Sequence, residues 1–429
     1  MLILGGTFLL MLPLSSSANQ PTDFVTALFT ATSAGCVTGL VVKDTATYWS
    51  VFGQAVILIL IQIGGLGFMT ISFVFFRLMR SRISLHEKEM LVDSLNITSL
   101  GGTIKFDALI LKSTLAIEGV GALLLALRFV PDMGLGYGLW AAVFHSVSAF
   151  CNAGFDIMGT VSGPYSSLCA YADDPLVILT IGALIVIGGL GFIVYDDIRR
   201  HGLHFSRYNL HTKIVLIMTL VLIGGGTAAF MIMEYGFTNA GLPVGQQLLN
   251  SLFDSITPRT AGFNSVDTAS LSNAGKFFTM LLMFIGGSPG STAGGIKTTT
   301  VAVLFAYVIA SLRGLRGPHA YSRSFTNGSL HKAVTVAFFN VTLVLTGIVI
   351  ISIDEPLISL TDICFEAFSA IGTVGLTTGI TRSLDLASRL VIIALMYLGR
   401  VGSTSFATAL LERRALPPVT YPDEDIIIG

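Results

Sequence analysis

The sequence predicts an all-α integral membrane protein with four tandem repeats arranged around one axis. Two observations predict this class. First, 53% of the 429 residues are hydrophobic and only 11% are charged, whereas soluble domains carry about 25% charged residues. Second, two short motifs recur four times in the same order, which indicates that one structural unit is used repeatedly. The net charge of −1 gives no indication of a nucleic-acid partner.

The first recurring motif is a mildly apolar segment that ends in Gly followed by Leu or Phe. It occurs as FTATSAGCVTGL (29–40), FHSVSAFCNAGF (144–155), LFDSITPRTAGF (252–263) and FEAFSAIGTVGL (365–376). The second motif follows each copy, as IGGLGF (63–68), IGGLGF (187–192), IGGSPG (285–290) and, in its weakest form, LGRVGS (398–403). The glycines that align in the first motif fall at nearly equal intervals: Gly39, Gly154, Gly262 and Gly375.

Long apolar stretches flank each copy of the first motif, and each has the roughly 20 residues that a membrane span needs. The motif itself is too short to span the membrane, so we expect it to enter and leave the membrane on the same side. The second apolar stretch should continue as helix through IGGLGF in the first two repeats and break only in the third. The predicted boundaries are 1–76, 105–195, 211–312 and 331–411 for repeats 1 to 4, and 412–429 for a cytoplasmic tail.

Repeat 1 has too little room for a complete first helix. We interpret residues 1–14 as the outer part of a membrane helix. The alternative is a signal peptide, because residues 1–20 combine a short apolar core with small residues at the end. That alternative is weakened by the absence of a basic region at the start.

Lys and Arg residues cluster in the segments that join the repeats, at 77–105, 199–213 and 313–332. The positive-inside rule places these linkers in the cytoplasm, so the short motifs enter from the outer side of a plasma membrane. All four repeats then share one orientation. This argues against a transporter built from inverted repeats.

Four loops that meet on one axis within a membrane would line a narrow path with backbone carbonyls, since irregular backbone is tolerated only where protein buries it or water lines it. Carbonyl rings can replace the hydration shell of a monovalent cation. Each repeat is thus predicted to be a membrane helix, a re-entrant pore helix, a filter loop and a membrane helix around one pore. The alternative is that the glycines only permit close helix packing. The predicted filter residues are Val37, Thr38, Gly39, Asn152, Ala153, Gly154, Thr260, Ala261, Gly262, Thr373, Val374 and Gly375.

Several segments resemble one known family over nearly the whole chain: SAGCVTGL, IQIGGLGF, SAFCNAGF, TPRTAGF, GGSPGSTAGGIKTT, SAIGTVGLT and YPDEDIIIG. The chain resembles the Trk/Ktr/HKT potassium transporters, in particular their KtrB-type membrane subunits. The resemblance implies K⁺ uptake across a bacterial inner membrane, and a Gly in every filter loop implies K⁺ preference. It also implies a homodimer and a cytoplasmic nucleotide-binding ring of the KtrA type. Whether the ion passes as in a channel or by coupled transport, and whether Na⁺ activates it, stays open.

The segment GGSPGSTAGGIKTT (286–299) interrupts the second apolar stretch of repeat 3. Gly and Pro break helices, so the chain should unwind below Gly262, and the family resemblance implies an intramembrane gate there. A packing kink without a gating role is one alternative. Another is the phosphate loop of an ATP-hydrolysing transporter, but Ile296 occupies the Lys position and Lys297 comes one place late. The predicted gate comprises Gly286, Gly287, Ser288, Pro289, Gly290, Ser291, Thr292, Ala293, Gly294 and Gly295, together with Arg400.

Arg400 interrupts the apolar run 391–406 and therefore carries a charge at membrane depth. Such a charge is costly and is by default functional. We expect it to face the cavity beside the gate, where it would oppose a cation; the alternative is an ion pair with Glu118. No arrangement of a nucleophile and a base emerges, and the four cysteines are scattered. The sequence therefore predicts neither an enzyme nor a bound cofactor.

Overall fold

The computed structural model describes residues 1–67, 103–315, 317–321 and 323–401. The predicted end of repeat 1 (68–76), the end of repeat 4 (402–411) and the cytoplasmic tail (412–429) lie outside these residues. The described part is mostly helical, as the sequence predicts. A pair of two-residue strands, β1 (His319–Ala320) and β2 (Arg323–Ser324), lies in the linker between the third and fourth repeats.

The helices follow the order of the four predicted repeats. The first group contains α1 (Leu2–Met11), α2 (Phe24–Gly35) and α3 (Val51–Leu66). The second contains α4 (Thr103–Met133), α5 (Leu135–Phe150), the short α6 (Gly159–Ser162), α7 (Pro175–Leu190) and α8 (Phe192–His201). The third contains α9 (Leu210–Met233), α10 (Val244–Ile256), α11 (Asn273–Phe284) and α12 (Thr298–Leu312). The fourth contains α13 (Asn327–Asp354), α14 (Leu360–Gly372) and α15 (Leu386–Val401).

Polar caps decide where many of these helices begin. The side chain of Asp23 accepts a hydrogen bond from the Thr26 amide at the start of α2, and Ser359 does the same for Asp362 at the start of α14. Asp174 caps α7, with Pro175 in the first turn. These side chains satisfy amide groups that have no partner inside the helix.

Three described helices are long and apolar enough to cross a membrane, at Leu109–Met133, Leu210–Met233 and Gly328–Asp354. Only about a third or less of the most apolar window of each is buried inside the chain. Large apolar side chains therefore remain on the outer surface, for example Leu123 on α4 and Phe338 on α13. Lipid is the solvent that such faces fit.

The second apolar stretches of the first two repeats do not continue as helix through the IGGLGF motif. The sequence predicts that IGGLGF continues as helix, but in the second repeat α7 ends at Leu190 and the chain bends by 91° into α8. Gly191 at the bend has a φ of +96°, and a Cβ there would lie 2.7 Å from the carbonyl oxygen of Pro289. The close approach of this neighbouring backbone therefore accompanies the break. In the first repeat α3 likewise ends at Leu66, and Gly67 has a φ of +85°.

The buried apolar residues form clusters that join neighbouring groups of helices. One cluster joins the first, second and third groups through residues such as Ile57, Phe150 and Phe263. Another joins the first and fourth groups through Phe29, Ile371 and Met396. The first group thus packs against both the second and the fourth, which brings the short helices α2, α5, α10 and α14 to one central region.

Candidate functional site

The four motif glycines form a closed ring at this central region. A Cβ on Gly39 would lie less than 3.0 Å from the carbonyl oxygen of Ala153, and the same holds in turn for Gly154 with Ala261, Gly262 with Val374 and Gly375 with Thr38. Each glycine therefore touches the backbone of the next repeat in chain order, and the fourth touches the first. Only residues without a side chain permit this approach.

The backbone around the ring has an unusual and repeated conformation. All four glycines have positive φ, between +68° and +96°. The residue two places before each glycine is also left-handed: Val37 at 57°, Asn152 at 59°, Thr260 at 69° and Thr373 at 50°. Positive φ is rare for β-branched residues and is maintained only where the surroundings impose it.

Hydroxyl-bearing residues hold these loops in place. The carbonyl of Ser33 accepts from the Thr38 amide at 2.8 Å, and its hydroxyl accepts from the Gly39 amide at 3.1 Å. Ser369 does the same for Val374 and Gly375, at 2.8 and 3.1 Å. In the second repeat the Ser148 hydroxyl donates to the Phe155 carbonyl at 2.7 Å.

The third loop uses Thr257, whose hydroxyl donates to the Phe263 carbonyl. Ser33, Ser148 and Ser369 each lie six residues before their ring glycine, and Ile256 occupies that place in the third repeat. Thr257, the next residue in the chain, bonds to the residue after its ring glycine, as Ser148 does in the second repeat.

Three hydroxyls near the ring have no hydrogen-bond partner among the described residues. They belong to Thr38, Thr260 and Thr373, and all three side chains are buried. Buried hydroxyls are normally paired. These three hydroxyls therefore remain without a partner within the described part of the chain.

A cavity of about 50 Å³ lies against the ring, lined by all four glycines and by residues that follow them in sequence. Its charged residues are Asp44, Asp156 and Arg382. The Arg382 guanidinium stacks over the Tyr165 ring at 3.7 Å, and the Tyr165 amide donates to Asp44 at 2.8 Å. The lining of this cavity thus combines the carboxyl groups of Asp44 and Asp156 with the guanidinium of Arg382.

The Gly-rich loop (286–295) connects α11 to α12 and contacts residues that precede the ring glycines. Its two ends are joined, since the Gly286 amide donates to the Ile296 carbonyl at 2.8 Å. The Thr292 hydroxyl is 3.2 Å from the side-chain amide of Asn152. A Cβ on Gly286 would lie 3.2 Å from Cγ2 of Thr260, and one on Gly294 would overlap the Thr373 hydroxyl. The loop therefore lies directly against three of the four predicted filter segments.

The broken helix of the second repeat holds the Gly-rich loop. The Ser288 amide donates to the Gly189 carbonyl at 3.0 Å, and the Phe192 amide donates to the Gly290 carbonyl at 2.9 Å. The Thr292 hydroxyl is also within bonding distance of the Phe150 and Gly188 carbonyls, at 3.0 and 3.1 Å. Because the helix is broken at Gly191, backbone groups that would bond within an intact helix are free to bond to the loop.

The Gly-rich loop follows helix α11, whereas a phosphate-binding loop follows a β-strand. This position argues against the phosphate-loop alternative.

Arg400 connects this loop to the first repeat. Its guanidinium donates to the carbonyls of Thr292 and Gly64, and to that of Gly65 at 3.3 Å. It makes no ion pair with Glu118 among the described residues. Glu118 instead accepts from the Gln62 side chain at 3.3 Å. Lys297 also lies here, and its side-chain nitrogen donates to the Ala293 carbonyl at 2.6 Å.

Glu366 lies behind the fourth loop and was not singled out from the sequence. It is fully buried in α14, and its carboxylate accepts from the hydroxyls of Thr377, at 2.7 Å, and Thr381. Thr377 in turn lines the cavity at the ring. The only sequence signal is an acidic residue within an apolar motif, which is costly unless it is paired.

Comparison with known proteins gives consistent matches. The profile of the TrkH family, described as cation transport proteins, matches residues 2–417. The chain is 42% identical to the potassium/sodium uptake protein NtpJ of Enterococcus hirae, across all of this chain and 95% of that protein. It is 40% identical to the Ktr system potassium uptake protein B of Bacillus subtilis, across all of this chain and 94% of that protein.

The fold is similar to the crystal structure of the potassium transporter TrkH from Vibrio parahaemolyticus. The TM-score is 0.69 over 91% of this chain and 79% of that chain, at 16% sequence identity. At this identity the likeness concerns the fold.

Proposed function

The chain belongs to the TrkH family of cation transport proteins, and from this premise we propose that it takes up K⁺ through the ring formed by Gly39, Gly154, Gly262 and Gly375. The closed ring, in which every glycine touches the backbone of the next repeat, is the observation that carries the proposal. A membrane-embedded ring of backbone from four loops is the arrangement that coordinates a dehydrated cation.

The chemistry of the ring suits a monovalent cation. The predicted filter segments carry no charged side chain, so carbonyl dipoles supply the negative potential. The short helices α2, α5, α10 and α14 end just before the ring, and the negative ends of their dipoles add to this potential. The free hydroxyls of Thr38, Thr260 and Thr373 are further oxygen ligands for the ion.

The Gly-rich loop acts as the gate in this proposal. It lies against Asn152, Thr260 and Thr373, so an ion that leaves the ring on that side meets the loop. Arg400 holds the loop through Thr292 and places a positive charge beside the ion path. Opening requires the loop to release its bonds to Arg400 and to the broken helix of the second repeat.

The partners of the proposed transporter are a second copy of this chain and a cytoplasmic nucleotide-binding ring of the KtrA type. Relatives from Bacillus subtilis and Vibrio alginolyticus that carry the name Ktr system support the assignment of a regulatory component. The location is the bacterial inner membrane. K⁺ is the transported ion, and activation by Na⁺ belongs to the same proposal.

The test is rescue of a bacterium that lacks its own K⁺ uptake systems, grown at low K⁺ with the regulatory partner supplied. The chain should restore growth, and Gly262→Ala should abolish the rescue because a Cβ there would collide with the Val374 carbonyl. Gly236→Ala is the matched control, since no atom lies within 4 Å of its Cβ position. Absence of rescue by well-expressed wild-type protein would refute K⁺ uptake.

A further inference from the structure

We propose that Arg382 keeps divalent cations such as Ca²⁺ out of the cavity that lies against the glycine ring, and so keeps this cavity open to K⁺. The inference rests on the proposed K⁺ uptake and adds a residue that determines its specificity. Residues that follow the ring glycines line the cavity, whereas the Gly-rich loop contacts residues that precede them. An ion that approaches the ring from the side away from the Gly-rich loop therefore passes Arg382 first.

Two carboxyl groups make this cavity attractive to divalent cations. Asp44 and Asp156 both line it, and backbone amides hold each of them in place. Asp44 accepts from the amides of Tyr165 at 2.8 Å and Thr47 at 2.9 Å, and Asp156 accepts from the amide of Met158 at 3.1 Å. Carboxylate oxygens are the preferred ligands of Ca²⁺. Without an opposing charge, two such groups in one cavity would favour a divalent cation over K⁺.

Arg382 supplies the opposing charge without bonding to either carboxylate. Among the residues that the structure describes, no ion pair joins it to Asp44 or Asp156. Its guanidinium instead lies over the ring of Tyr165, at 3.7 Å from the ring centroid. A guanidinium that stacks on an aromatic ring stays charged. The charge of Arg382 therefore acts on whatever ion enters the cavity.

Tyr165 is a fixed support for this arginine. Its hydroxyl donates to the carbonyl of Val42 at 3.2 Å, in the segment that follows Gly39, and its amide bonds to Asp44. Its backbone is left-handed, with a φ of +62°, a conformation that a bulky residue keeps only where its surroundings impose it. Segments of the first, second and fourth repeats thus hold the guanidinium of Arg382 at the cavity, although the arginine itself is exposed.

The valence of the ion decides how strongly Arg382 opposes it. Coulomb energy is proportional to the product of the two charges, so the same arginine opposes Ca²⁺ twice as strongly as K⁺. Binding constants depend exponentially on energy, so the effect on Ca²⁺ is the square of the effect on K⁺. If loss of the charge strengthens K⁺ binding about threefold, it should strengthen Ca²⁺ binding about tenfold. A merely structural role for Arg382 would show no such dependence on valence.

The test measures inhibition of K⁺ uptake by external Ca²⁺ in cells that lack their own K⁺ uptake systems. The medium is at pH 8, because burial and the nearby Asp44 carboxylate raise the pKa of Asp156 to about 7. Arg382→Gln should lower the Ca²⁺ concentration for half-inhibition by about tenfold and the K⁺ concentration for half-saturation by only about threefold. Arg128→Gln is the matched control, since this arginine pairs with Asp174 at 2.8 Å and does not line the cavity; its Ca²⁺ inhibition should equal that of the wild type.

Two further variants assign the effect to the cavity. Adding Asp156→Asn to Arg382→Gln should restore resistance to Ca²⁺, and Tyr165→Leu should lower the resistance in the same direction as Arg382→Gln, because it removes the support of the guanidinium.

A binding measurement keeps this inference separate from K⁺ uptake itself. The midpoint of thermal unfolding of the purified full-length chain should rise at lower Ca²⁺ concentrations for Arg382→Gln than for the wild type, whether or not the chain rescues growth. The inference is overturned if Arg382→Gln and the wild type respond equally to Ca²⁺, or if the responses to K⁺ and Ca²⁺ change by the same factor.

Discussion

Replacing Arg400 with Ala should increase K⁺ flux by weakening the closed position of the Gly-rich loop. The guanidinium bond to the Thr292 carbonyl is the contact that this side chain makes with the loop, whereas its bonds to Gly64 and Gly65 fix the guanidinium itself. A hydrogen bond from a charged group contributes about 1.5–3 kcal/mol. Its loss should therefore raise the ratio of open to closed loops by about 10- to 150-fold.

The charge of Arg400 contributes separately, because a unit charge a few ångströms from the ion in an intermediate dielectric is worth about 1–4 kcal/mol. Two further variants separate the effects. Arg400→Lys keeps the charge but loses the planar fork that reaches Thr292 and Gly64 together. Arg400→Gln keeps a donor and loses the charge. If the hydrogen bond dominates, Lys should resemble Ala; if the charge dominates, Gln should resemble Ala.

The assay is K⁺ influx into proteoliposomes that contain the purified chain, with and without the regulatory partner. Arg400→Ala should raise the basal flux and reduce the activation by the partner. Arg389→Ala is the matched control, since this arginine lies on the same helix and contacts the Arg382 carbonyl at 3.2 Å, away from the loop. A lower flux for Arg400→Ala in correctly folded protein would refute the gate assignment.

Four further outcomes are expected. Gly39→Ser should raise Na⁺ permeation relative to K⁺, because a side chain at this left-handed position meets the Ala153 carbonyl and adds about 1–3 kcal/mol of strain; unchanged selectivity would remove this loop from the pore. Deleting residues 288–294 should raise K⁺ flux and reduce its dependence on the partner, and a lower flux in folded protein would favour a packing kink. Glu366→Gln should reduce the preference for K⁺ over Na⁺, since it disturbs the carboxylate that holds Thr377 and Thr381; an unaltered permeability ratio, as expected for Asp173→Asn at an exposed acid, would contradict this. ATP and ADP should leave K⁺ flux through the isolated chain unchanged, and a nucleotide response without the partner would place regulation in this chain.

The membrane class could be predicted from the sequence because it depends on local composition, whereas the division into four repeats stays a prediction from the recurring motifs. Long apolar stretches identify lipid-facing helices such as α9 and α13, whatever their neighbours. The recurring Gly after each short segment can also be recognised from the sequence. The left-handed backbone at this point favours Gly in every repeat, at Gly39, Gly154, Gly262 and Gly375. The family resemblance drawn from these motifs is confirmed by the profile and the relatives.

The continuation of helix through IGGLGF was a wrong prediction for a physical reason. The motif is apolar and gives no local signal as strong as the Pro of repeat 3. The bend at Gly191 accompanies a contact with Pro289, about a hundred residues away. Helix propensity cannot report such an approach, because the competing hydrogen bonds come from another part of the chain.

The sequence by itself determined that the chain is helical and apolar enough for a membrane protein, with four glycines at equivalent places of a recurring motif and one arginine inside an apolar run. Only the tertiary structure decided that those glycines meet in a closed ring, that Arg400 bonds to backbone carbonyls rather than to Glu118, and that Glu366 is paired with Thr377 and Thr381. Periodicity and composition are properties of residues that are close in the sequence, so they can be recognised from the sequence alone. The partner of a buried polar group is whichever group the fold brings within about 3 Å, and that distance exists only once the helices have packed.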